Sequence, residues 1–374
     1  MTFEQGPIRP PSEAESLLVR VSRNCPWNQC QFCPVYKGTR FSRRSKDEVK
    51  KDIAAMKEAA DRVKAVALKE GAGGTVTRDV LEAVYRRDPS LLQVALWLYR
   101  GGKNVFLQDA DSLVVSPEDL VEILTFVREQ FPTVERITTY ARSRSVARRS
   151  VEQLKQLKEA GLTRVHIGME TGHDPLLEYM RKGSTAEEHI QAGIKVKEAG
   201  LSLSEYIILG LGGQKFWRDH ALDTARVLSQ IDPHYIRVRT LAVREGIPLQ
   251  QDVESGEFQL LHDDDIVREE RLLLENLQGT GYFVSDHILN LLEEVEGKLP
   301  EDLPHMIGVI DRYLALPDDQ RANFRLGRRM GYYRRLDELK DGERYYQVEA
   351  LLASLKKEGQ DPDEMLTQRR GHFL

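Results

Sequence analysis

Asn24-Cys25-Pro26-Trp27-Asn28-Gln29-Cys30-Gln31-Phe32-Cys33-Pro34-Val35-Tyr36 decides how this chain reads. All three cysteines of the 374-residue sequence fall within nine residues, with four residues and then two between them. Soft thiolates at close spacing are the usual ligands of iron–sulfur clusters. Three ligands to a four-iron cluster leave one iron open to a small molecule. A zinc site is the competing reading, yet zinc sites usually bring their ligands as two close-spaced pairs. No second pair exists, and the nearest histidine is His166. The odd count excludes a disulfide framework.

Outward from the cysteines, Leu17-Leu18-Val19-Arg20-Val21 reads as a strand, which places the motif in the loop at its carboxyl end. Ser45 with Asp47 and Glu48 opens a helix running to about Leu68, with acidic residues in its first turn. Glycines at 71, 73 and 74 break it, and two short helices are expected over 77–87 and 90–99. Residues 71–101 are longer than a strand-to-helix connection requires, so they read as a helical insertion. Strands are then expected at 105–107, 136–140, 164–168, 204–209 and 235–239. Helices alternate with them at 116–131, 151–160, 186–199 and 216–229. Such alternation means parallel βαβ units, in a doubly wound sheet or a barrel. From Gly256 onward the pattern turns helical, with helices expected over 260–277, 285–294, 302–315, 318–339 and 346–357. The chain therefore divides into an amino-terminal extension (1–14), an α/β core (15–255) and a carboxyl-terminal helical region (256–374).

A Cys-x4-Cys-x2-Cys motif with Phe32 before its last cysteine, in a loop after an apolar strand, resembles the radical S-adenosylmethionine superfamily. The common spacing there is Cys-x3-Cys-x2-Cys, one residue shorter in the first gap. The longer gap resembles branches that include the catalytic subunit of Elongator and a group of uncharacterised bacterial proteins. That bacterial group is similar also in the blocks Phe106-Leu107-Gln108-Asp109-Ala110-Asp111-Ser112-Leu113, Ile167-Gly168-Met169-Glu170-Thr171-Gly172 and His220-Ala221-Leu222-Asp223-Thr224-Ala225. The core is similar to that of oxygen-independent coproporphyrinogen oxidase, and the resemblance covers about residues 15–315. It implies a partial (β/α)6 barrel with its site at the carboxyl ends of the strands, the end where barrels generally carry theirs. It also implies a [4Fe-4S] cluster on Cys25, Cys30 and Cys33, and S-adenosyl-L-methionine on the open iron. Reductive cleavage would yield a 5′-deoxyadenosyl radical that takes hydrogen from a small-molecule substrate, with an electron donor such as flavodoxin or ferredoxin.

The same resemblance assigns cofactor contacts. Gln108, Asp109 and Asp111 stand where the superfamily's Gly-Gly-Glu-type motif meets the amino group of the cofactor, although this sequence departs from that motif. An acidic loop entering a helix is the alternative. Lys182 matches a basic position that pairs with the cofactor carboxylate, with Arg181 as its rival, and Glu170 a polar position near the cofactor. Phe32 joins the cofactor shell. Tyr140 and Arg142 are expected on the ribose side, Leu209 and Leu211 on the adenine face. His220, Asp286 and His287 are the catalytic candidates, with Asn290 expected on one helical face with the latter two. A packing role for His220 and a surface helix start at 285–287 are the competing readings.

Composition bounds the rest. A formal net charge of −5 gives no global attraction to nucleic acid or acidic membranes. No apolar run approaches the ~20 residues of a membrane span, and the polar, proline-containing residues 1–11 lack the apolar core of a signal peptide. Thiolates and an oxygen-sensitive cluster point to the reducing cytoplasm. Basic runs at 37–46, 142–149 and 325–335 keep a tRNA- or nucleic-acid-modifying enzyme as the second reading. A non-catalytic metal-binding protein is the third.

Overall fold

The computed structural model describes residues 3–373; Met1, Thr2 and Leu374, at the tips of the expected amino-terminal extension and carboxyl-terminal region, lie outside them. The chain forms two compact units. The first comprises residues up to Asn28, 38–167 and 194–203, and the second 29–37, 168–193 and 204 onward.

In the first unit four strands lie side by side in chain order: β1 (Leu17–Arg20), β2 (Asn104–Gln108), β3 (Arg136–Ala141) and the first part of β4 (Leu162–Glu170). All pairings are parallel, with Val19 beside Leu107, Leu107 beside Thr139 and Thr139 beside Val165. Parallel strands covered by helices read as continuous apolar runs, as β1 and β2 do. Helix Lys46–Lys69 begins at a capping box, in which Ser45 and Glu48 satisfy each other's backbone N–H groups. Its buried face is Val49, Ile53, Met56, Ala60, Val63 and Ala67, a stripe at helical spacing. Each fully buried Val, Ile or Met there contributes roughly 1.5–3 kcal/mol, so docking rather than propensity holds the helix. It packs on helix Pro117–Gln130 and on the insertion helices Arg78–Arg87 and Leu92–Tyr99. The insertion thus belongs to the helical layer of this unit.

The second unit holds β5 (Ser202–Leu209) from Ser204 on, β6 (Tyr235–Thr240), β7 (Tyr282–Val284) and β8 (Gly297–Lys298). The first three are parallel, and β8 runs antiparallel to β7. Helices Gly213–Ile231 and Asp263–Asn276 pack together. An apolar cluster of Leu176, Met180, Leu211, Leu241, Ile247, Leu249 and Phe258 lies in this unit. Helices Leu303–Leu314, Asp318–Arg329, Gly342–Lys357 and Pro362–Arg369 follow. Helix Asp318–Arg329 and Arg370 are tied to the start of Asp263–Asn276 by ion pairs, Asp263 with Arg329 and Arg370 and Asp264 with Arg321 and Arg325.

Two expected helices are corrected. Residues 285–294 are irregular, because Tyr282–Val284 pairs as a strand with β6 and Asp286 is then captured by Arg237 and Arg239. Leu289, Leu291 and Leu292 are buried there on a backbone that is not helical. The helix expected over 318–339 stops at Arg329, where Gly331 takes a φ of +81°. No helix among the described residues is long and apolar enough to cross a membrane.

Candidate active site

In the first unit, the cysteine loop leaves β1 through two asparagines in left-handed backbone, Asn24 (φ 67°) and Asn28 (φ 48°), a conformation that asparagine tolerates better than most residues. Half-buried Cys25 lies between them, and the Asn28 backbone N–H donates to its Sγ at 3.4 Å. Hydrogen bonds of this kind tune the potential of a cluster thiolate. Asp109, fully buried after β2, pins the loop. Its Oδ2 accepts from Arg20 Nε (3.1 Å) and Nη2 (2.7 Å) and from the Asn24 N–H (2.9 Å). Gln108 turns to the amino-terminal segment, accepting from the Gly6 N–H and donating to the Ile8 carbonyl. The arrangement engages Gln108 with the chain's own backbone and Asp109 with Arg20 and the Asn24 backbone, a use that the resemblance did not suggest.

Asp111 is also fully buried. The Ser145 hydroxyl donates to its Oδ2, and its Oδ1 meets no hydrogen-bond partner among the described residues. Burial pushes its pKa up to about 6, with the Ser145 hydrogen bond and Arg142 pulling the other way. The Arg142 guanidinium lies 5.1 Å from the Trp27 ring centroid, joining the cysteine loop to the end of β3. Tyr140 meets Phe106 edge-on at 5.1 Å and His166 at 6.0 Å.

In the second unit, half-buried Cys30 and Cys33 flank a tethered pair. The Gln31 N–H donates to the Met180 carbonyl (3.0 Å), its Nε2 to the Tyr179 carbonyl (2.7 Å), and its own carbonyl accepts from Leu249. Phe32 packs on the apolar cluster that contains Leu211, while Leu209 is buried beside the Gly210 turn. The Lys182 ammonium sits 6.0 Å from the Phe32 ring centroid and 2.8 Å from Glu170 Oε1. Arg181 is exposed, so Lys182 is the cation turned inward. Gly168 makes room for this pair, since a Cβ there would lie 2.3 Å from Glu170 Oε1. No disulfide joins the cysteines, and among the described residues no three His, Cys, Asp or Glu side chains form a metal-holding group.

His220 is completely buried. Its Nε2–H donates to the Ile208 carbonyl (3.1 Å), so Nδ1 accepts from the Thr171 hydroxyl (2.7 Å). Burial holds its pKa down to about 4. Both ring nitrogens thus brace the ends of two strands, which is the packing role rather than that of an open acid or base. Asp286 accepts from Nη1 of both Arg237 and Arg239. His287 is part-buried and neutral near pH 7, its pKa lowered to about 4 by burial and by Arg239. Asn290 is buried, donating to the Val238 carbonyl and Ser285 and accepting from Thr240. With residues 285–290 irregular, these groups meet through tertiary contacts with β6 and share no helical face.

Several buried polar residues were not anticipated. Glu205 on β5 is fully buried, with both carboxylate oxygens lacking a hydrogen-bond partner among the described residues. Burial holds its pKa well above the usual carboxylate range, Glu170 adding to the rise and Lys182 opposing it. Glu269 accepts from the Gly210 N–H at 2.5 Å. A charged residue inside an apolar strand, as in Ser204-Glu205-Tyr206-Ile207, and the alternate arginines of β6 were the available signals.

The profile of the Radical SAM superfamily matches residues 19–225, more than half of the chain, and the chain belongs to that superfamily. It is therefore an enzyme of a family that uses a [4Fe-4S] cluster and S-adenosylmethionine, with the α/β fold expected. Three soft thiols in one loop, one already accepting a backbone N–H, suit that cluster. The chain is 25% identical over 118 residues to the tRNA uridine(34) acetyltransferase of Methanocaldococcus jannaschii, covering 31% of this chain and 22% of that one. It is 22% identical over 181 residues to the heme chaperone HemW of Bacillus subtilis, covering 48% and 47%. It thus spans less than half the length of these curated relatives. Coproporphyrinogen III oxidase from Escherichia coli aligns over 70% of this chain and 52% of its own, at 16% identity and a TM-score of 0.44.

Proposed function

We propose that this enzyme takes a hydrogen atom from a small organic substrate. The observation that carries the reading is the Cys25-Cys30-Cys33 motif inside the span matched to the superfamily. When bound, the cluster supplies the electron that splits S-adenosylmethionine into methionine and a 5′-deoxyadenosyl radical. The chain's own residues bind and orient. Cys25, Cys30 and Cys33 hold the cluster, Lys182 faces the cofactor carboxylate, and Glu170 keeps that ammonium in place. Phe32 and Leu211 offer apolar surface to the adenine side. Asp109 and Arg20 fix the geometry of the loop. Tyr140, Arg142 and Asp111 remain candidates for the ribose and amino ends, and Asp286 and His287 for the substrate. A one-electron donor such as flavodoxin or ferredoxin and a cytoplasmic setting go with this chemistry.

The test is anaerobic reconstitution with iron and sulfide, reduction, and measurement of 5′-deoxyadenosine with and without cell extract. About four irons per chain are expected, with most of them lost in Cys30→Ala. Stoichiometric zinc without iron uptake, or a loaded protein that forms no 5′-deoxyadenosine, would refute the reading. A tRNA substrate is the second reading, favoured by the relative named for uridine(34). It predicts that added tRNA, rather than the small-molecule fraction of the extract, stimulates cleavage.

A further inference from the structure

Arg237 and Arg239 stand two apart on β6, so they share one face of the strand, opposite Tyr206 and Ile208 in the register with β5. The Arg239 guanidinium lies 4.8 Å from the Tyr206 ring centroid. Asp286 takes one donor from each arginine, and Arg239 Nη1 also donates to the Val238 carbonyl. Arg237 Nε, Arg239 Nη2 and His287 Nδ1 are all buried and meet no hydrogen-bond partner among the described residues. Arg237 as a whole is only 6% exposed. Buried donors of a guanidinium are costly to leave unmade.

We propose that Arg237 and Arg239 form a binding site for a carboxylate group of the substrate. The inference rests on the reading of this chain as a substrate-transforming radical enzyme. Clamping the loop after β7 needs only the contacts with Asp286, so it leaves the unmatched donors unexplained. Charge selects the ligand class. Two guanidinium groups and one carboxylate leave one positive charge, and His287 is neutral, held down by burial and by Arg239. A carboxylate closes that balance and suits the forked donors of arginine. A phosphate dianion would leave a buried excess of negative charge.

The experiment uses the reconstituted full chain, with sodium acetate and inorganic phosphate as probes in anaerobic calorimetry at constant ionic strength. Acetate is expected to bind at one saturable site, and Arg237→Gln to weaken it at least about tenfold. Asp286→Asn releases one donor on each arginine and should tighten acetate about fivefold or more. A purely structural clamp would instead lower the melting temperature of Asp286→Asn without any gain in acetate affinity, and that result overturns the proposal. Equal acetate binding by Arg237→Gln and the unaltered protein overturns it too, as does phosphate binding more tightly than acetate. The cofactor also carries a carboxylate, so the titration is repeated with S-adenosylmethionine bound. Acetate that still binds assigns the site to substrate; acetate displaced competitively by the cofactor assigns it to the cofactor and refutes the proposal. Formation of 5′-deoxyadenosine by the unaltered protein is scored separately. Its absence would refute the radical-enzyme reading, while the acetate titration alone judges the arginine pair.

Discussion

Replacing Lys182 with methionine removes one charge while keeping an unbranched apolar stem beside Phe32. The Lys182–Glu170 pair has a 2.8 Å contact, with side-chain exposures of 11% and 14%. Fully exposed pairs are worth about 0.2–1 kcal/mol, and breaking a fully buried one costs about 3–5 kcal/mol. Breaking this pair, roughly nine-tenths buried, is a cost to folding, whereas the affinity lost is that of a hydrogen bond from the ammonium to the cofactor carboxylate, about 1.5–3 kcal/mol or about 10–150-fold. Anaerobic equilibrium dialysis of S-adenosylmethionine on the reconstituted protein measures it, with iron content as the control for folding. A cycle with Glu170→Gln separates two causes. If Lys182 meets the cofactor carboxylate directly, the double variant stays as weak as Lys182→Met. If Lys182 merely neutralises Glu170, the double variant recovers to within about threefold of the unaltered protein. Affinity of Lys182→Met within about twofold of the unaltered protein would refute the reasoning, and Arg181 would be the next cation to replace.

Two further outcomes concern stability. Asp263 lies 3.0 Å from Arg329 and 2.9 Å from Arg370, and although burial opposes its ionisation, those two charges keep its pKa well below the usual carboxylate range. Asp263→Asn leaves two buried guanidinium groups without their anion and should cost about 3–5 kcal/mol, read as a lower urea midpoint; an unchanged midpoint would show that the arginines find other partners. Burial raises Glu270 from 4.5 to about 8, and likewise Glu269, where the Gly210 N–H opposes the rise and Glu270 adds to it. A raised folded-state pKa means stability fully present below pH 4.5 and lost as pH rises through 8, by up to about 1.4 kcal/mol per pH unit for each group. Thermal midpoints of Glu270→Gln should therefore fall less steeply than those of the unaltered protein between pH 4.5 and 8, and parallel curves would disprove protonation of this residue.

Local signals in the sequence reached far into the fold because they coincide with local physics. Ser45 with Glu48, and Ser116 before Pro117, start helices by satisfying nearby N–H groups, and the structure begins helices at those places. The apolar run of β1 fixed where the cysteine loop begins. The failures involve partners distant in sequence. Asp286, His287 and Asn290 carry helical spacing, yet Asp286 is drawn to two arginines nearly fifty residues earlier, and the backbone follows those ion pairs. The amino-terminal segment reads as an unremarkable polar extension, but Glu4 pairs with Arg20 and Arg23, and Gly6 and Ile8 engage Gln108. Glu205 is visible as a carboxylate within an apolar strand, whereas the upward shift of its pKa depends on burial and on Glu170, which only the folded chain brings to bear. The alternation Arg237-Val238-Arg239 was equally visible as two cations on one strand face. What it lacked was the position of Asp286, which accounts for one donor of each guanidinium and so exposes the buried donors that remain. A charge pattern within a strand thus becomes a binding hypothesis only after the hydrogen bonds made by the fold itself are subtracted.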